Sequence, residues 1–585
     1  MSDRDQALQD RLVFPEKCPC ANVNSATGKQ CHKVGTKACS NCYLVLYCSK
    51  ECQKSHWKQH KTDCKSELMK TTWRPSWEAE QRKPAFVSNV TGPADKMVTY
   101  GKKKYLWGNV PALDMLGLAH NEGATYAKDL RLLFAASGDL RHVVKTIAGI
   151  TSTSAPISLQ DITAVINDRD FDIVARNAIL LLTALHVVPA PAAAAAMIHT
   201  WYSALLPPSV LKSLHSTVLP LIRTVCAKIA SKPPDQLLGK TFTHGRGSVR
   251  LVLTRRCWEA LQAYLEVPSG LTAAEAKRVR GATVAAPARR DYVDRALFCQ
   301  PPAWRAATIR FRSEGVLMPF GAATGTFDVP NPTMFQERDA WPMHDSADPL
   351  AGWAIEDALR KTPLAKNDLY GGLFFHISEL LVDFCEKVQR MKISFVLLHV
   401  DAVDLPKSLA NDFNLTKSFD RIEVSNIADG GYLGSKCLDI FAPLLRPLDE
   451  NPCATLVTLF INAVTEVQTN ADMMDIMMRE MKRVVAVLPP VRQSTAAQSG
   501  NADSIRRLQA FDLFRDFDSL WTRYEQRHGF DGVAEGVGLR AKSKHTITEP
   551  WPMRLKKGPT KAEFERLLGS SHTGGERYVE WQRVR

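Results

Sequence analysis

The chain has 585 residues, several times the usual length of one domain, so two to four folded units are expected. Hydrophobic residues make up 45% and charged residues 23%, which excludes a wholly disordered or collagen-like chain. The 75 Lys+Arg against 61 Asp+Glu leave a formal net charge of +14, spread along the chain; this permits an acidic partner without demanding nucleic acid.

Cysteine is the informative residue. Of 14, eight lie in the first 64 positions: Cys18, Cys20, Cys31, Cys39, Cys42, Cys48, Cys52 and Cys64. Residues 1–10 are mostly polar and charged and hold no secretory apolar run. Clustered cysteines without an export signal point to metal, in the reducing cytosol or nucleus. Zinc takes four tetrahedral thiolate or imidazole ligands, and a C-x2-C pair such as Cys39/Cys42 presents two sulfurs from one turn. Cys48 and Cys52 enter a helix expected over 49–62, on which His60 and Cys64 stand one turn apart on one face. These six, with Cys31 and one upstream cysteine, supply eight ligands, enough for two zinc ions that would provide the folding energy of so short a segment.

The spacing Cys31-x7-Cys39-x2-Cys42, Tyr47-Cys48-x3-Cys52-Gln53 and Trp57-x2-His60-x3-Cys64 closely resembles the MYND zinc finger. The resemblance implies interleaved, cross-braced ligand sets: Cys31, Cys48, Cys52 and an upstream cysteine for one ion, Cys39, Cys42, His60 and Cys64 for the other. The upstream ligand is Cys20 or Cys18. Cys20 is preferred, because the polar, glycine-containing loop 21–30 closes at little entropic cost. His56 is a histidine outside the ligand spacing. All positions being filled by protein, the zinc reads as structural, and the resemblance implies a surface for short, often proline-containing peptides. The helix lacks an arginine face for base edges.

Residues 65–84 read as a polar, Trp-containing connector. Residues 129–137 (DLRLLFAAS) read as a buried strand, Gly138-Asp139 as a turn and 140–150 as a helix; a second strand at 161–167 ends at Asp168, and an apolar helix covers 171–188. This alternation argues for a parallel sheet. The stretch 178–198 is long enough to span a bilayer by count. His186, Pro189 and Pro191 interrupt it, so it reads as two buried segments joined by a bend. Residues 190–390 read as mainly helical, with helices at 273–280, 291–298 and 370–391 and short strands near 248–254. Further strands follow at 393–400, running into DAVDLP at 401–406, at 419–425 and at 454–461. The methionines of 473–481 read as core filling. A linker is expected at 489–501, one long helix at 503–528 and a basic, irregular end from 540.

Strand–Gly-turn–helix, strand–Asp, strand–DAxDLP, strand–FDxI looks like a class I S-adenosylmethionine methyltransferase core with a large insertion. Ser137, Gly138, Asp139, Asp168, Asp401, Ser425 and Asn426 then share the rim at the carboxyl ends of the strands, where a ligand would bind, with Asp168 in the ribose-binding role. The turn holds one glycine where the fingerprint wants two or three, and Asp139 suits a helix cap. The segments WGNVPALD (107–114), SGDLRH (137–142), NDRD (167–170) and ARN (175–177) resemble the DUF4470 domain over about 100–190. That domain is shared with the third dynein axonemal assembly factor and with fungal proteins that carry it behind a MYND finger. Asp139, Arg141, His142, Asp168, Arg169 and Arg176 are expected to form a buried salt-bridge network rather than a pocket.

The plan is a finger at 18–64, a connector at 65–99, a DUF4470-like first half of an α/β Rossmann-like domain at 100–190, a mainly helical insertion at 191–390, the second half at 391–488, a linker at 489–502 and a C-terminal helix with a basic tail at 503–585. The leading functional reading is a zinc-binding interaction or assembly scaffold with a peptide partner, without membrane or nucleic acid. The alternative is a methyltransferase using S-adenosylmethionine, its finger recruiting the substrate. A SET-type lysine methyltransferase is set aside, because no Asn-His-Ser-Cys-like segment is present.

Overall fold

A computed structural model describes residues 13–24, 27–87, 99–123, 126, 128–150, 161–488, 500–556, 558–570 and 572–584. At the amino end, β1 (Lys37–Ala38) and β2 (Leu46–Tyr47) pair antiparallel and lead into α1 (Lys50–Cys64). Ser49 starts α1, its hydroxyl accepting the Cys52 N–H at 3.2 Å. The body then runs β3 (Leu130–Phe134), α2 (Arg141–Ala148), β4 (Ile162–Asn167), α3 (Phe171–His186) and α4 (Ala190–Tyr202). A hairpin of β5 (Leu237–His244) and β6 (Gly247–Thr254) follows, then α5 (Leu369–Arg390), β7 (Ile393–Leu398), α6 (Leu405–Phe413), β8 (Arg421–Glu423), α7 (Lys436–Phe441) and β9 (Thr455–Phe460). The carboxyl part holds α8 (Asn470–Val487), α9 (Ala502–Asp512), α10 (Phe517–His528), α11 (Phe530–Gly536), β10 (Leu539–Ala541) and β11 (Arg577–Arg583).

Nine strands form one mixed sheet in the order β10-β11-β9-β8-β3-β4-β7-β6-β5. The six from β9 to β6 are parallel; at one end β11 runs against β9 and β10 against β11, and at the other β5 runs against β6. Parallel strands need cover on both faces, and the alternation along β3 supplies it. Leu130, Leu132 and Phe134 face α2, α3, α4 and α5, whereas Leu133 and Ala135 face α6, α7, α10 and α11. The stretch 178–198 becomes the end of α3 and most of α4, separated at Pro189 as the prolines predict. No helix among the described residues is long and apolar enough to cross a membrane.

The structure corrects several expectations. The segment 191–390 is not set apart from the sheet: its hairpin β5–β6 extends the sheet beyond β7, and its last helix, α5, lies in the central core. The helix expected over 503–528 is two. Asp516 caps a new start, accepting the Ser519 N–H at 3.1 Å, and the break lets Phe511 and Phe514 enter one apolar cluster while Phe517 enters another. The expected basic tail contributes β10 and β11, inserted beside β9, with Trp581 fully buried and its indole N–H donating to Thr458 Oγ1 at 2.9 Å. The connector is docked: Trp77 is buried edge-on against Phe86 and near Phe298 and Ala502, and its indole N–H donates to the Gly500 carbonyl at 2.8 Å. Residues 489–499 of the expected linker lie outside the described residues. Finally, Met474, Met478 and Met481 are not core filling: they stand exposed on α8, whose buried face is carried by Ile476 and Val484.

Because Trp581 fills the space between β9 and the helices over it, Trp581→Ala is expected to cost about 3–5 kcal/mol, read from urea unfolding of the whole chain. A loss under about 1 kcal/mol would mean that β11 does not close the sheet.

Candidate metal centre and sheet rim

Eight side chains gather into two groups at the amino end. Cys20, Cys31, Cys48 and Cys52 form one, and Cys39, Cys42, His60 and Cys64 the other, the ligand atoms of each lying within 4.8 Å of one another. A tetrahedral zinc ion with Zn–S of about 2.3 Å sets sulfurs about 3.8 Å apart. Cys31 and Cys48 are separated by 3.8 Å, Cys48 and Cys52 by 3.5 Å, and Cys39 and Cys64 by 3.7 Å; the Cys42 sulfur lies 3.5 Å from His60 Nε2. The donor set and spacing fit two structural zinc ions. Local backbone builds both. Cys39 follows β1, Tyr43 at φ 52° turns the chain behind Cys42, and His60 and Cys64 are the two buried residues of α1. Cys20 is brought in by its N–H on the Lys33 carbonyl at 2.9 Å and by Ala21 N–H on the Leu46 carbonyl at 2.8 Å. Cys18 lies outside both groups, its thiol pushed by burial up to about 12. His56 also stays outside, its Nδ1 3.1 Å from the Tyr47 hydroxyl.

The finger shares a core with the body: Cys20, Ala21, Cys42, Leu44, Val45 and Tyr47 belong to the apolar cluster that runs under the sheet. Polar contacts fix the contact surface. Gln30 donates to the Gly321 carbonyl at 2.7 Å and accepts from Ala323 N–H at 2.9 Å, and Asn367 donates to the Cys42 carbonyl at 2.8 Å. Nothing in the local sequence around Gln30 or Asn367 marks them, since their partners lie some three hundred residues away.

At the carboxyl edge of the sheet, the candidate rim residues hold the chain to itself. Asp168 accepts the Gly138 N–H and the Asp170 N–H, both at 2.9 Å. Asp139 accepts the Gly108 N–H at 2.8 Å and the Arg141 guanidinium at 2.6 Å, and Arg141 in turn donates to the Val110 carbonyl at 2.9 Å. His142 Nδ1 accepts from Leu113 N–H and Thr146 Oγ1 from Met115 N–H, each at 2.9 Å. Gly108 permits this: a Cβ there would stand 2.0 Å from the Arg141 guanidinium. Segment 107–115 is thereby laced across α2. Asn167 donates to the carbonyls of Ala135 and Val400 at 2.9 and 3.0 Å, tying β3, β4 and the end of β7 together, while Asn177 donates to the Gly138 carbonyl at 2.8 Å. Ser137 is buried, its N–H on the Asn167 carbonyl. Asp401 is exposed, its carboxylate accepting the Val403 N–H and its carbonyl the Asp404 N–H, both at 3.0 Å, and Asn426 is half-buried. Ser425, at φ 51°, donates its N–H to Glu423, whose carboxyl is pushed by burial up to about 7.

The expected salt-bridge network reduces to one ion pair. Asp139 and Arg141 pair in the interior, but Asp168 forms no ion pair with an arginine among the described residues, Arg169 is exposed, and Arg176 donates to the Trp201 and Thr333 carbonyls at 2.8 and 3.1 Å. Burial without a touching carboxylate pulls the Arg176 guanidinium down to about 10.

Residues 29–64 match the MYND finger and residues 106–206 match the domain of unknown function DUF4470. The chain carries a MYND finger followed by a DUF4470 domain. No curated protein and no solved structure matches it. The MYND match begins after Cys20, so the eighth ligand is assigned by the tertiary grouping alone. The DUF4470 match spans the laced segment, β3, α2, β4, α3 and α4, and the polar residues of its motifs are those that hold these elements together.

Two measurements test these assignments. Elemental analysis of the whole chain should return two zinc per chain, falling to one in Cys20→Ser and staying at two in Cys18→Ser; the reverse pattern would exchange the two cysteines. Asp139→Ala leaves the buried Arg141 without its counter-ion and should cost about 3–5 kcal/mol. Asp168→Ala removes an acceptor of two backbone N–H groups and should cost about 1–3 kcal/mol. Equal losses from both variants in urea unfolding would contradict the single-ion-pair assignment.

Proposed function

We propose that this protein is a zinc-stabilised interaction scaffold, its MYND finger presenting a peptide-binding face on a body that serves as a platform. The carrying observation is that both tetrads are complete with protein donors, so the metal has no open position for water or substrate. MYND fingers are generally protein-interaction modules, and on this finger Trp57 stays 37% exposed, beneath the Lys65 ammonium at 5.7 Å. The fixed contact through Gln30 and Asn367 supports a platform role, since a finger that cannot swing presents its face in one orientation. The seven cysteines grouped as metal ligands hold zinc only as reduced thiolates, which favours a reducing, cytosolic or nuclear site of action.

One observation favours the alternative. The strands β7-β4-β3-β8-β9-β11 follow the order 3-2-1-4-5-6 of a doubly wound Rossmann-like sheet, with the sixth antiparallel, and the order reverses between β3 and β8, where such sheets bind ligands. This supports a degenerate Rossmann-like body and keeps S-adenosylmethionine as the ligand of the second reading, with Ser137, Gly138, Asp139, Asp168, Asp401 and Asn426 as its rim. Against it, Asp168 and Asp139 already accept backbone N–H groups of their own chain.

Calorimetric titration of the zinc-loaded chain with S-adenosylmethionine separates the two. Absence of heat at millimolar ligand is expected; micromolar binding would move the protein to the enzyme reading. In parallel, an array of proline-containing peptides should yield binders that Trp57→Ala loses while keeping two zinc per chain. Peptide binding unaffected by Trp57→Ala would refute the proposed face.

A further inference from the structure

Helix α8 leaves an apolar stripe in solvent. Met474, Met478, Met481 and Val485 are 59%, 73%, 41% and 41% exposed. Their spacing of four, three and four residues places all of them within one narrow band of the helix surface. Ala471, also exposed, continues the band one turn earlier. In heptad terms these are successive a and d positions: Ala471, Met478 and Val485 at a, Met474 and Met481 at d. Monomeric surfaces rarely line up four large apolar side chains in this way.

The flanks of the stripe differ. Two g positions, Met477 and Val484, are turned into the chain's own apolar cluster with Phe511 and Phe514 of and beyond α9. The e positions, Asp475 and Lys482, lie on the open side and carry opposite charges. A parallel partner helix would need g opposite e, and g is already occupied by the body. An antiparallel partner sets e against e. If that partner is α8 of a second chain, Met478 meets Met481, Met474 meets Val485, and Asp475 meets Lys482 twice across the two-fold axis. Among the described residues, Asp475 is paired with Arg479 at 2.6 Å, an exposed i,i+4 pair of little worth.

We propose that α8 is the contact of a homodimer, two copies pairing antiparallel through the stripe Met474, Met478, Met481 and Val485 with reciprocal Asp475–Lys482 ion pairs. The band is short, so the dimer is expected to be reversible and concentration-dependent. Unbranched methionines fill an irregular seam at small cost, which suits a contact that forms and dissolves.

Sedimentation equilibrium of the zinc-loaded full chain, up to about 100 µM, tests this in a range where small interfaces associate. A monomer–dimer equilibrium is expected. Met478→Glu should abolish it; the position is the most exposed of the stripe, so zinc content and thermal unfolding should stay unchanged and report an intact fold. Lys482→Asp and Asp475→Lys should each weaken the dimer about tenfold, and the double exchange Asp475→Lys/Lys482→Asp should restore it. A monomer at every concentration overturns the proposal, as does a dimer indifferent to Met478→Glu. Failure of the double exchange to restore association overturns the antiparallel pairing.

Discussion

Six parallel strands lie side by side in this molecule, and a parallel strand has no face that tolerates water. Each must be covered above and below, and the demand for cover organises nearly everything else. The first strand pair brings only α2, α3 and α4, enough for one face. The remaining cover comes from far along the chain: α5 from the end of the long middle segment, α6 and α7 from between later strands, and α10 and α11 from beyond residue 516. The two sheet ends are finished differently. On one side the hairpin β5–β6 is added after β7, and on the other β11 inserts beside β9 and brings Trp581 into the core.

The same demand explains the finger. A segment of some forty residues with two metals has little apolar interior of its own, and here Leu44, Val45 and Tyr47 are buried against the body as well as under the metal sites. Zinc binding and body packing are therefore coupled: metal orders the loops that carry these side chains, and the body seals them. The rim at the carboxyl end of the sheet follows a related logic. Its chain ends and turns expose N–H and carbonyl groups in a buried place, and unpaired groups there are costly. Asp139, Asp168, Asn167 and Asn177 satisfy them, which leaves these side chains committed to structure.

Legibility in the sequence followed the range of the forces involved. Metal spacing is local, so Cys31 to Cys64 and their number could be read directly, and α1 with its Ser49 cap lies within two residues of expectation at each end. The apolar runs of β3, β4, β7 and β9 were equally legible, because a strand buried on both faces writes its burial into every residue. Pro189 marked the break between α3 and α4 for the same local reason.

Other features were decided only in three dimensions. Strand β11 reads Arg-Tyr-Val-Glu-Trp-Gln-Arg, an unremarkable alternation until β9 is placed beside it. Asp168 looked like a partner for an arginine and instead accepts backbone N–H groups, because the turn at Gly138 folds back within reach. Cys20 was separated from Cys18 by a β-bridge to residues that spacing alone does not locate. The methionines of α8 have helical spacing, yet periodicity reports that a stripe exists and not which way it faces. Composition and short-range spacing thus determined the finger, its two metals and the parallel strands, where the causes lie within a few residues. Tertiary packing decided which faces are covered, which polar groups are spent and which stripe is left to solvent, because those outcomes depend on partners hundreds of residues apart.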